Sequence, residues 1–129
     1  MTTAHTILFV ADQARSADFY SRVLSIEPRL NVPGMTEFEI STGAVLGLMP
    51  RDSVGRLFAG MLEIVDEYDF GKSAELYLLV DEAADYFQRA IENGASEISP
   101  MSLRNWGHLA GYCLDVDGHV IAFAQVLSD

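Results

Sequence analysis

Side chains able to do chemistry are few in this chain. The first, His5, heads the apolar stretch "AHTILFVAD" at residues 4–12. A histidine there can ligate a metal, move a proton or orient a ligand. Glu75 heads a similar stretch, "ELYLLVD", at residues 75–81. Histidine and carboxylate are the side chains that hold divalent ions or work as an acid–base pair. His5 and Glu75 are therefore the catalytic candidates, and they are also the donors that any metal here would use. A third group, Asn105, Trp106 and His108, stands in "RNWGH". An indole there can stack on a flat ligand or close the end of a sheet.

Other reactive types are read more blandly. Arg51, Arg56 and Arg104 fall on predicted loops, where an arginine meets an anionic ligand group or a surface carboxylate. Cys113 alternates with Tyr112 and Leu114 and reads as a small buried hydrophobe. His119 follows the turn glycine Gly118 and is expected to face solvent. The chain has no Gly-rich phosphate loop, Ser-His-Asp series or CxxC.

The elements that must position these residues occur twice. "HTILFVAD" and "ELYLLVD" are both apolar strands ending in Val-Asp, and each precedes a helical pattern. In the first helix Ala17, Tyr20 and Leu24 recur at spacings of three and four, widened by Phe19 and Val23. In the second, Ala83, Ala84, Phe87 and Ile91 do the same; Asp81 is the expected N-cap and Asn93-Gly94 the stop. Short strands follow, around Pro28–Asn31, Thr36–Ser41 and Ala44–Met49 in one half. In the other they lie around Glu97–Met101, Gly111–Asp115 and His119–Gln125. Gly43 and Gly118 each mark a turn before the last strand.

Each half thus reads β-α-β-β-β, an α+β fold of two modules in a single domain spanning 1–129. Module 1 covers about 4–50 and module 2 about 73–127. The connector, about 51–72, has an apolar middle expected to pack as a lid or short helix.

Two curved sheets, each covered by a helix on one face, can enclose a cleft, a preferred place for a ligand. Alternation points His5, Ile7 and Phe9 inward in the first half, with Val45, Gly47 and Met49 from its last strand. In the second half Glu75, Tyr77 and Leu79 share a face, and Ala122 answers to Gly47. Counted from the turn glycines, Gly47 and Ala122 are each the fourth residue on; His5 and Glu75 each stand five before the strand-ending valine. Positions 5, 47, 75 and 122 should then converge, with donors at two of them. Trp106 and His108 complete the expected ligand-binding set at the rim.

Composition narrows the partners. With 129 residues, half of them hydrophobic, the chain can bury a real core. No run approaches the ~20 apolar residues of a membrane span, and "MTTAHT" lacks the features of a signal peptide. One cysteine forms no internal disulfide, which suits a cytoplasmic protein. A net charge of −11 disfavours nucleic acid and anionic membranes as partners.

The opening "HTILFVADQARSADFYSRVL" and the closing "NWGHLAGYCLDVDGHVIAFAQ" resemble the strand–helix start and terminal "WG…DPDG…I" hairpin of the vicinal-oxygen-chelate superfamily. That group holds glyoxalase I, extradiol dioxygenases, and fosfomycin- and bleomycin-resistance proteins. The resemblance implies a homodimer, often with its cleft built by both subunits. Metal-dependent members take one ligand from the first and last strand of each half. Carried over, these positions are His5, which fits; Glu75, where the glyoxalases carry His; and Gly47 and Ala122, where Glu is usual and no donor stands.

Two functions are compatible with that set. One is metal-free binding of a small molecule, such as a drug, in a cleft enlarged by the missing glutamates. The other is a glyoxalase-like lyase or isomerase with a reduced metal site. The vacated space can hold a flat ligand or be filled by a neighbour such as Met49.

Overall fold

The structure, a computed structural model, describes residues 1–59, 61 and 73–127. It divides into two compact units, one holding most of the first half and one the second, with Arg22–Leu24 grouped in the second.

The first unit begins with β1 (Ala4–Val10), followed by α1 (Gln13–Leu24), β2 (Leu30–Val32), β3 (Met35–Ser41), β4 (Ala44–Pro50) and α2 (Arg51–Phe58). Its sheet runs β1-β4-β3-β2, with β1 parallel to β4 and the other pairs antiparallel. Asp12 caps α1 by accepting the Arg15 N–H. Strand alternation divides the sheet. Val10, Phe38, Leu46 and Leu48 are fully buried, and Thr36 on the same face holds Gln13 at the start of α1 at 2.9 Å. Met35, Glu37 and Glu39 therefore point from the opposite, open face.

The second unit repeats the order: β5 (Glu75–Leu79), α3 (Ala83–Glu92), β6 (Ser96–Leu103), β7 (His108–Leu114) and β8 (Val120–Val126). Its sheet runs β5-β8-β7-β6, again with its one parallel pair between the first and last strands. α3 covers one face. Tyr86 stacks on Phe123 at 6.0 Å, and Phe87 lies so close to Gly111 that an added Cβ would come within 2.9 Å of it. Only glycine lets helix and strand approach this far. Residues 108, 110 and 112 and 122 and 124 consequently lie on the open face.

Several expectations shift locally. α3 is N-capped by Glu82, not Asp81, without a side-chain bond, because the Gln125 side chain takes up the Ala83 N–H instead. Ala84 is exposed and Ala90 is buried in its stead. β7 starts at His108, three residues earlier than expected, so this histidine belongs to the strand and not to the loop before it. Arg51 and Arg56 stand on α2, not on a loop, and Arg51 is buried. The rest of the expected connector, residue 60 and residues 62–72, lies outside the described residues. His119 is half-buried, since Asp115 folds the turn before β8 by accepting the Asp117 and His119 N–H groups. Cys113 is buried, as its alternation implied.

Candidate functional site

Each open face carries a polar cluster. On the first unit, His5 pairs in register with Val45, and Ile7 pairs with Gly47, so His5 sits two residues along the face from Gly47. The second unit repeats that offset: Glu75 pairs with Val120 and Tyr77 with Ala122. The duplication inferred from sequence thus extends to strand register.

The carboxylate neighbour of His5 is Glu37, from the middle of β3, with Nδ1 to Oε2 at 3.6 Å. That is too long for a hydrogen bond. Glu37 is held instead by Arg29, whose Nη2 and Nε approach Oε1 at 3.0 and 3.1 Å. Arg29 also lies 3.7 Å from Glu39. Sequence reasoning passed over Glu37 and Arg29 because it sought donors only on first and last strands. The signal was present in "MTEFEIS", where both glutamates alternate onto the face opposite Thr36 and Phe38.

Gly47 does not leave an empty hole. A Cβ there would come 3.1 Å from Ile7 Cγ1 and 3.3 Å from Met35 Sδ. The filler is Met35 with Ile7, and Met49 pairs in register with Phe9. Phe9 is itself engaged by Phe58 of α2, ring to ring at 6.5 Å.

The second open face brings three expected residues together. Trp106 donates its indole N–H to the Tyr77 hydroxyl at 2.9 Å, and that hydroxyl lies 2.8 Å from His108 Nδ1. The Tyr77 and His108 rings are 5.8 Å apart, and the Tyr112 ring is 6.5 Å from Tyr77. Ala122, with no donor of its own, is fully buried and pairs with Tyr77 on one side and Tyr112 on the other. Trp106 stays 53% exposed although its N–H is engaged, so the indole is fixed while much of its surface is open. Its place in a tight turn requires Gly107 at a φ of 88°, which glycine adopts readily.

Arg104 is engaged by the chain itself. It donates to the carbonyls of Pro100 and Ala110 and to Ser99 Oγ, and its guanidinium lies 5.2 Å from the Tyr112 ring centre. It fastens β6 to β7 beneath the aromatic group. Burial, then the negative charge of Glu75, pushes the Tyr112 hydroxyl above its ordinary pKa, while Arg104 opposes. Burial and the nearby Asp115 push the Cys113 thiol up to about 12, so it is a poor nucleophile.

A resident divalent ion commonly needs about three protein ligands. Among the described residues no group of three or more His, Cys, Asp or Glu is placed to hold one. Gly47 and Ala122 offer no donor, and Glu37 is already committed to Arg29. This donor set does not fit such an ion.

Comparison with known proteins agrees with the fold. Among solved structures, a glyoxalase-related enzyme from Fulvimarina pelagi superposes with a TM-score of 0.79 at 23% identity, covering 95% of this chain and 86% of its own. A glyoxalase/bleomycin resistance protein/dioxygenase family enzyme from Burkholderia phytofirmans PsJN gives 0.80 at 18% identity, covering 95% and 97%. A protein of unknown function from Agrobacterium tumefaciens str. C58 gives 0.78 at 24% identity, covering 98% and 95%. At such identities the likeness establishes the fold alone. No curated protein matches the chain. No helix among the described residues is long and apolar enough to cross a membrane. The family model for the Glyoxalase/Bleomycin resistance protein/Dioxygenase superfamily matches residues 2–123, and the chain belongs to that superfamily.

Proposed function

We propose that this protein binds a flat organic molecule without a resident metal, on a surface centred on Trp106, Tyr77 and His108. The observation that carries the reading is the hydrogen-bonded line Trp106–Tyr77–His108, which fixes an indole that remains half open. A large aromatic surface already held in place stacks on a ligand with little further loss of side-chain freedom. Glu75 and Ala122 share that face. The net charge of −11 disfavours anionic ligands. Metal-assisted lyase or isomerase chemistry, the other function the resemblance implies, lacks support from a donor set without carboxylates at 47 and 122. On the resemblance the protein is also proposed to be a homodimer, and on its single cysteine a cytoplasmic one.

Thermal-shift screening against planar organics and against divalent metals tests the reading, since a ligand that binds only the folded state raises stability with its concentration. Stabilisation by planar compounds, reduced in Trp106→Ala, is expected. Stabilisation by metals alone contradicts it.

A further inference from the structure

The first unit carries a cavity of about 750 Å³ that neither His5 nor Glu37 lines. It lies at the carboxyl ends of β1 and β4, the unit's one parallel pair, where α1 and α2 begin. The turn between β2 and β3 closes one side, and Gln13 fastens it. The Gln13 Nε2 donates to the Val32 carbonyl at 2.8 Å and to Thr36 Oγ1 at 2.9 Å, while Oε1 accepts the Gly34 N–H at 3.0 Å. This wall is set before any ligand arrives.

Charge of both signs gathers here. Arg51 and Arg56, two of the chain's eight Lys and Arg, line the cavity together with Asp12 and Asp52. Arg51 is only 7% exposed, which holds its planar fork in place. Arg56 extends from α2 with its side chain 71% exposed, 3.8 Å from Asp52 and bonded to Ser53 Oγ at 3.2 Å. An arginine fork matches a carboxylate. The two aspartates and the net charge of −11 oppose a ligand that is anionic overall. A carboxylate that brings its own cation escapes that penalty.

We propose that this cavity is a second binding site, for a zwitterion of the amino-acid class, with its carboxylate on Arg51 and Arg56, its ammonium toward Asp12 and Asp52, and its apolar side chain against Pro33 and Pro50.

The test uses three probes of one branched skeleton at about pH 7: L-leucine, the zwitterion; 4-methylpentanoate, which keeps only the carboxylate; and 3-methylbutan-1-amine, which keeps only the ammonium. None is flat, so none suits the Trp106 face. Calorimetry gives the affinities, and the Gly34 backbone N–H locates binding by NMR, because it bonds to Gln13 in the cavity wall. L-Leucine should bind about tenfold more tightly than either other probe and shift the Gly34 resonance. Arg56→Gln should cut its advantage over the amine to about threefold or less, and Asp52→Asn should do the same to its advantage over the pentanoate. Arg51→Gln should act like Arg56→Gln; where burial makes that variant unstable, the exposed Arg56 decides. Equal binding of all three, tightest binding of either singly charged probe, an unmoved Gly34 resonance, or advantages that survive both Arg56→Gln and Asp52→Asn overturn the proposal. The planar-ligand reading stands on the other unit's residues and is independent of these outcomes.

Discussion

Replacing Tyr77 by phenylalanine removes one oxygen and keeps the ring, which makes it the sharpest perturbation of the cluster. Two hydrogen bonds are lost, at 2.9 Å from Trp106 and 2.8 Å to His108 Nδ1. Each contributes about 0.5–1.5 kcal/mol net. The Trp106 side is at the low end, because a half-exposed indole N–H regains water. Packing loss is small, since the ring contacts to His108 and Tyr112 remain available. The expected destabilisation is about 1–2 kcal/mol, a fall in Tm of about 3–8 °C for a chain of this size. Trp106 is the sole tryptophan, so its emission reports the same event and should shift to the red as the indole loosens. A double-mutant cycle of Tyr77→Phe with His108→Ala should give a coupling of about 0.5–1.5 kcal/mol. Unchanged Tm and emission with a coupling below about 0.3 kcal/mol would refute the claim that this line of bonds holds the indole.

Other substitutions probe the surroundings. Gly47→Ala brings a methyl 3.1 Å from Ile7 Cγ1 and 3.3 Å from Met35 Sδ. It should cost about 1–2 kcal/mol in urea unfolding, and Met35→Ala should relieve much of that; a neutral Gly47→Ala would show that the space is open. Arg104→Lys cannot reproduce the fork to the Ala110 and Pro100 carbonyls. It should destabilise by about 1–3 kcal/mol while leaving planar-ligand binding within about twofold, whereas selective loss of binding would make Arg104 a ligand contact. Cys113, with its pKa at about 12 against an ordinary 9.0, stays protonated in the folded state while the unfolded chain ionises. The unfolded state then binds fewer protons, so stability falls as pH rises from 9.0 to about 12. The drop is at most on the order of 4 kcal/mol. Urea unfolding at about pH 7 and pH 11 should show a shallower decline for Cys113→Ala, and an identical decline in both proteins would contradict the assignment.

Much of this architecture is legible in the residues. The Val-Asp strand ends, the glycine turns at Gly43 and Gly118, and the paired helical stripes specify two β-α-β-β-β units, because period and punctuation are local properties. The details that shifted depend on partners distant in sequence. The first turn of α3 is satisfied by Gln125, 42 residues away, so Asp81 is not needed as a cap. β7 extends back to His108 because Val126 of β8 pairs with it. The site was legible in part: Trp106, Tyr77 and His108 were singled out, but that they form one hydrogen-bonded line depends on a 31-residue separation closed by the sheet. Glu37 was readable from alternation, and only the assumption that donors sit on the first and last strands of each half hid it. Arg104 was readable as a cation, yet its task of binding carbonyls depends on how β6 and β7 meet.

Metal-free ligand capture at the Trp106 surface is tested most directly by titrating the chelator-treated protein with a flat neutral aromatic, 1-isoquinolone, while following Trp106 emission. A saturable change, the same with and without added divalent ions and lost in Tyr77→Phe or much weakened by it, is the predicted result. A change that arises only after a divalent ion is restored would contradict the account.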